Sequence, residues 1–311
     1  MPTIRRIIAA TDLSDASLHA VDRGFELAAR HGAHYTLLHA LGLDALGPLR
    51  DLLGDEAERV AEKAIQHQFD ALAAVAGDPA RNAGVVADVK IEPGLATRVL
   101  ADYAASEQAD LVLVGARGAS VLSRLLVGST ASRLLRKCAR PVLVVKKPGR
   151  TPYRRVLAPV DFSPGSLATL RMAAQIAPDA DVLLLHSFDV PFEGMLQYAG
   201  IEQAVIHRYR AEARERALQR LHALAEEAGL DRGRYSVRIE HGEATRHILD
   251  AQTECRCDLV AMGKHGTHVT EELLLGSVTK HVLSEADADV LVVVDRRGPT
   301  LPPPFSGEDF V

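Results

Sequence analysis

Two kinds of apolar pattern alternate along this chain. Short runs without polar interruption, among them 7–10, 111–114, 142–145, 259–262 and 290–294, read as strands buried on both faces. Between them Leu18, Val21, Phe25 and Ala28 fall at helical spacing, and the stretch from about Leu49 to Ala76 has the alternation of an amphipathic helix. The pattern predicts strands over 5–10, 35–41, 85–91, 111–115 and 142–145. Helices are predicted after Ser14, from Gly94 to about Gln108, and over 129–138. Wholly apolar strands alternating with helices imply a parallel sheet covered on both faces.

The same order then recurs. Strands are predicted over 155–159, 182–188, 236–240 and 290–294, with a helix over about 201–228. Asp12 matches Asp161, His39 matches His186, Thr97-Arg98 match Thr245-Arg246, and Gly128-Ser129 match Gly276-Ser277. Partners stand 147–149 residues apart. A period this long marks a duplicated domain, not a solenoid repeat. We divide the chain into a first domain at 1–147, a linker at 148–152 and a second domain at 153–295. A Pro-rich tail at 296–311 reads as extended. Each domain is predicted to be a doubly wound, Rossmann-like α/β unit with a five-stranded parallel sheet of order 3-2-1-4-5.

Composition narrows the function classes. A net charge of -5 over 311 residues leaves no basic footprint for nucleic acid or an anionic membrane. No apolar run reaches membrane-spanning length and no signal-peptide pattern opens the chain, so a cytoplasmic location is expected. The three cysteines, Cys138, Cys255 and Cys257, suit a reducing compartment and a structural role. Cys255-Arg256-Cys257 lacks the partner ligands of a zinc site.

The candidate chemistry sits in one stretch that occurs twice. Gly115-Ala116-Arg117-Gly118 is followed by nine residues and Gly128-Ser129-Thr130. Gly263-Lys264-His265-Gly266 is followed by nine residues and Gly276-Ser277. Each copy leaves a predicted strand and ends on a predicted helix. The twelve intervening residues exceed the ~2–6 usual for such a connection, which marks a functional loop. In a doubly wound sheet, ligands bind beyond the carboxyl ends of the strands where the chain order reverses. That switch point brings Asp12 to the first glycine loop and Asp161 to the second. Glycines admit close backbone approach, and a helix opening on Gly-Ser presents free amides to an anion.

This G-x2-G-x9-G-(S/T) spacing resembles the nucleotide signature of the ATP-binding branch of the universal stress protein family. The chain resembles a tandem member from Arg5 to Asp295, with Thr11-Asp12, Val160-Asp161, His39-Ala40, His186-Ser187 and Arg140-Pro141-Val142 in support. The resemblance implies an adenine nucleotide alpha hydrolase-like fold. It implies Asp12 and Asp161 at the adenine and ribose end, with the backbone of Ala40 and Ser187 beside the base. It further implies Gly115, Gly118, Gly263 and Gly266 along ribose and phosphates. Gly128, Ser129 and Thr130, with Gly276, Ser277 and Thr279, would hold the outer phosphates of ATP with Mg2+ or Mn2+. The second copy, Gly276-Ser277-Val278-Thr279, fits the family pattern more closely than the first. The family pairs domains through the last strand. An internal pseudo-dimer through 142–145 and 290–294 is therefore expected, with a further homodimer beyond it. Asp289, standing where the first domain has Pro141, departs from that pattern and puts the edge in question.

Simpler roles stand beside these. Asp12 and Asp161 suit turns closed by their own side chains, Ser129 and Ser277 suit helix caps, and His39 and His186 suit satisfied core positions. Arg117, Lys264 and His265 either screen phosphate or lie in solvent. No G-x4-G-K-(S/T) loop and no catalytic triad ordering occurs. The expected activity is therefore that of a stress-response regulator or sensor with at most slow ATP hydrolysis. A nucleotidyl-transferring α/β enzyme and a scaffold binding another small ligand are the rival readings.

Overall fold

A computed structural model describes residues 4–42, 56–116, 128–189, 203–266 and 275–294. The first half contains β1 (Arg6–Ala10), α1 (Asp15–His31), β2 (His34–Leu41), α2 (Glu56–Gly77), α3 (Pro79–Asn82) and β3 (Ala87–Pro93). It continues with α4 (Ala96–Ser106), β4 (Leu111–Gly115), α5 (Ser129–Lys137) and β5 (Val142–Val145). The second half contains β6 (Arg155–Pro159), α6 (Pro164–Ile176), β7 (Asp181–Phe188), α7 (Gln203–Ala228) and β8 (Tyr235–His241). It ends with α8 (Ala244–Glu254), β9 (Leu259–Gly263), α9 (Ser277–Glu285) and β10 (Asp289–Val293). Residues 43–55 and 190–202, the long glycine-loop segments and the tail at 296–311 lie outside the described residues.

All ten strands form one sheet, in the order β3-β2-β1-β4-β5-β10-β9-β6-β7-β8. Each half alone has the predicted order 3-2-1-4-5 and is parallel throughout. The join between halves is antiparallel, with Val144 opposite Val290, Leu143 opposite Leu291 and Val142 opposite Val292. The expected internal pairing of last strands is thus present. Both of those strands are used within the chain, so among the described residues the sheet edges are β3 and β8.

Alternate residues of the apolar strands face opposite layers. On one side Ile7, Leu113, Leu143 and Leu291 pack with Phe25 of α1, Leu72 of α2, Leu170 of α6 and Leu221 of α7. On the other, Ile8, Val112, Val144 and Val290 pack with Leu100 of α4, Leu134 of α5, Ile248 of α8 and Val282 of α9. The predicted start of β3 at Val85 is two residues early. Ala83 and Gly84 adopt left-handed backbone there, the Val85 N–H bonds Asn82 O, and Val86 is left 91% exposed in the turn.

Asp289, at the start of β10, closes the central join and corrects the expectation that it weakens this edge. It is 3% exposed. Its Oδ2 accepts the Tyr153 hydroxyl at 2.6 Å and lies 3.8 Å from Arg23 Nε. Its Oδ1 accepts the Lys146 N–H at 2.8 Å and the Lys147 N–H at 3.3 Å. Pro141 has no comparable acceptor to offer. Arg23 also lies 4.1 Å over the Tyr153 ring and donates to Thr151 O at 2.6 Å. Arg150 meets Asp22 Oδ2 at 3.1 Å, opposite Arg81 on Oδ1 at 2.9 Å. The connecting segment is therefore held against α1 by buried charge.

Burial pushes the Asp289 carboxyl above the usual aspartate range, against the pull of Tyr153, the Lys146 amide and Arg23. A raised folded-state pKa means that this group's contribution is full below its unfolded-state pKa and is lost as pH climbs through the folded-state value. In urea unfolding, the advantage of wild type over Asp289→Asn is expected to shrink from about pH 4 to about pH 7; an advantage that grows contradicts this account. Asp289→Ala, which strips Arg23 of a buried partner, is expected to cost about 3 kcal/mol.

Candidate functional site

Each half carries a crevice beyond the carboxyl ends of its first and fourth strands, at the switch point. The first, of about 130 Å3, is lined by Asp12, Ala40, Gly115, Gly128, Ser129 and Thr130, together with Thr11, Ser17, His39 and Leu100. Gly118 and Arg117 lie outside the described residues. The second crevice, of about 370 Å3, gathers all seven residues predicted for it: Asp161, Ser187, Gly263, Gly266, Gly276, Ser277 and Thr279. Pro159, Leu185, Ala244, Ile248, Met262, His265 and Val278 add to its wall, with Val160, Ser163 and Ser166 of the turn after β6. Sequence reasoning missed most of this wall. Ala244 and Ile248 belong to a helix face whose apolar spacing signals only core packing.

The turn after the first strand is built in the same way twice. Leu13 and Phe162 take left-handed backbone, at φ 62° and 60°. The preceding aspartate stabilises that turn. Asp12 Oδ1 accepts the Ser14 N–H at 3.1 Å and its hydroxyl at 2.5 Å, and Asp161 Oδ1 accepts the Ser163 N–H at 3.0 Å and the Ser166 hydroxyl at 2.9 Å. The turn-closing role is therefore observed for both. In the second half the other carboxylate oxygen faces the glycine loop, since a Cβ placed on Gly266 would stand 2.8 Å from Asp161 Oδ2.

The helices that end the glycine stretches open without a side-chain cap. Gly128 and Gly276 are the N-cap residues, so Ser129 and Ser277 occupy the first helical position and are not caps. The first intrahelical bonds run from Ser132 to Gly128 and from Lys280 to Gly276. The three N–H groups before each of these have no acceptor within the helix. Their positive end of the helix dipole points into the crevice, which favours an anion. Thr279 is turned differently from expectation, as its hydroxyl donates to Gly263 O at 3.0 Å and ties α9 to the end of β9. Its counterpart Ala131 has no hydroxyl to do so.

His39 and His186 are satisfied from below. Their Nδ1 atoms each lie 2.7 Å from a carbonyl, Thr11 O and Val160 O. A carbonyl only accepts, so the proton sits on Nδ1. Burial holds His186 below the usual histidine range, opposed by its bond to Val160 O and aided by nearby Arg220. Arg220 lies 4.0 Å over the Phe162 ring, which stacks 4.6 Å from His186. Lys264 neither screens the crevice nor lies in solvent. It is buried, and its ammonium donates to Arg136 O at 2.8 Å. Arg98 and Arg246 are exposed and pair along their helices with Asp102 and Asp250. Cys257 is buried in the core, its thiol pushed up to about 12 chiefly by burial.

The geometry defines a tandem doubly wound α/β protein with a crevice at each switch point, each ending on an open helix N-terminus. The Universal stress protein family profile matches residues 3–146 and again residues 152–294, and the chain belongs to that family. A universal stress protein of Mycolicibacterium smegmatis is 29% identical over 308 residues, covering 93% of this chain and 97% of its own. One from Mycobacterium tuberculosis is 29% identical over 257 residues, covering 79% of this chain and 75% of its own. The crystal structure of a universal stress protein from Archaeoglobus fulgidus shares the fold at a TM-score of 0.61. It is 21% identical and covers 93% of this chain and 98% of its own.

The first glycine of each loop does different work in the two halves. A Cβ on Gly115 would stand 2.5 Å from the backbone oxygen of Ala16, where α1 crosses the strand end, whereas on Gly263 the nearest atom is His265 O at 3.1 Å. Gly115→Ala is expected to cost about 1–3 kcal/mol through overpacking against backbone. Gly263→Ala should cost distinctly less. Urea midpoints for the two variants test this, and equal losses would refute the steric distinction.

Proposed function

We propose that the chain is an adenine-nucleotide-binding regulator or sensor of the cytoplasm, holding ATP with Mg2+ or Mn2+ in its switch-point crevices, with the second crevice as the principal site. The observation that carries this reading is the second crevice. It joins an uncapped helix N-terminus, a carboxylate facing a bare glycine and an apolar wall in one space of about 370 Å3. Ligand pockets of this kind run from ~300 to ~1,000 Å3. The first crevice, at about 130 Å3, falls below that range and supports a subordinate role.

In this reading the amides of Ser277, Val278 and Thr279 hold the outer phosphates, and the divalent ion arrives with them. Gly263 and Gly266 leave room for the chain of phosphates and ribose. The Ser187 backbone, Leu185, Ile248 and Met262 enclose the base. Asp161, already holding its turn through Oδ1, keeps Oδ2 toward the ribose side. The nucleotide is held, with at most slow hydrolysis, since the sequence carries neither a G-x4-G-K-(S/T) loop nor a catalytic triad ordering. The stretch around Asp12 also lacks the basic or Ser/Gly-rich segment that a nucleotidyl-transferring enzyme would bring to the first strand.

Mg-ATP at a hundredfold excess over its Kd is expected to raise stability by about 2.7 kcal/mol per filled site. Thermal unfolding with and without Mg-ATP reads this, and mass spectrometry of ligand released from the purified protein identifies what it holds. Gly266→Val, which drives a side chain onto Asp161 Oδ2, should remove most of the shift. A folded wild type that gains no stability and releases no nucleotide would sink the proposal.

A further inference from the structure

The two crevices are joined through the middle of the molecule. Because β5 and β10 run antiparallel, the strand ends that carry one crevice lie beside the C-terminus of the helix that opens the other. Lys264 makes one connection. Its backbone carbonyl accepts the N–H of Gly276, the N-cap of α9, at 3.0 Å. Its ammonium, on a residue only 5% exposed, donates to Arg136 O in the last turn of α5. One residue thus holds the N-terminus of the second anion-binding helix and the C-terminus of the first.

The reverse connection starts at Ala116. Its carbonyl accepts the Gly128 N–H at 2.7 Å, and its own N–H bonds Val145 O at 2.8 Å. The next residue, Lys146, sends its ammonium to Leu283 O at 2.7 Å and to Ala286 O, at the C-terminus of α9. The last carbonyls of a helix lack intrahelical partners and form its negative end. Each short helix is therefore gripped at its C-terminus by a lysine of the opposite half, while its N-terminus faces its own crevice. An anion at the N-terminus and an ammonium at the C-terminus stabilise the same dipole. A ligand that fixes the Lys264–Gly276 contact also fixes the lysine on α5, which lowers the ordering cost of the first crevice.

We propose that Lys264 and Lys146 are positioning residues that couple the two crevices, so that filling the second raises the affinity of the smaller first. The proposal rests on the nucleotide reading above. The test is calorimetric titration of the full chain with Mg-ATP. Wild type is expected to bind two equivalents, the second event tightened about fivefold or more relative to independent sites. Lys264→Met should abolish that cooperativity and Lys264→Arg should restore it, a pattern that loss of stability alone does not produce. If Lys264→Met does not fold, Lys146→Met makes the same comparison from the other side. Two independent sites in wild type, a single equivalent bound, or cooperativity untouched by both methionine variants would each overturn the coupling. No binding by folded wild type overturns the nucleotide reading itself.

Discussion

The antiparallel pairing of β5 with β10, closed by the buried carboxylate of Asp289, is the constraint on which the rest of the molecule depends. Two doubly wound units each end on a strand that must find a partner or face water. Here each supplies the other's partner. The consequence is one continuous sheet with both layers of helices running across the join, and with the two switch points on opposite ends of the strands. A carboxylate in such a place is costly unless every lone pair is engaged. Tyr153, Arg23 and two backbone amides engage it.

The halves share a plan but not an inventory. Where the first has Ala116, Ala131, Leu13 and Ala40, the second has Lys264, Thr279, Phe162 and Ser187. Each replacement adds a polar group or an aromatic surface in or around the second switch point. Thr279 braces α9 to β9, Phe162 carries Arg220 on one face and His186 beside it, and Lys264 reaches into the opposite half. The walls differ too, with Met262 and Ile248 standing where the first half has Val114 and Leu100.

Duplication, strand order and switch point were all legible in the sequence, because each is written in local signals: uninterrupted apolar runs, glycines at fixed offsets, and landmarks repeated in register. The partners of Asp289 were not, since Tyr153 and Arg23 lie 136 and 266 residues away, and a lone acid at a strand start looks like a defect. Asp22 and Arg23 likewise occupy a helix whose apolar stripe explains its burial without them. Lys264 read as a loop lysine because nothing local announces that an antiparallel join places a helix end above it. Gly115 was legible as essential, but its reason was not. The close neighbour is the backbone of α1 at Ala16.

The linker, held through Thr151 by Arg23 and through Arg150 by Asp22, has one more implication. Two separate chains meeting through their last strands assemble only above a threshold concentration, and a twofold axis forces every substitution to appear on both sides. Fusion removes both conditions. The halves meet at any dilution, and a residue such as Lys264 is encoded once and felt once. An intramolecular joint of this kind lets one crevice be rewritten while its twin keeps the older form, a division of labour that a self-paired chain has no means to record.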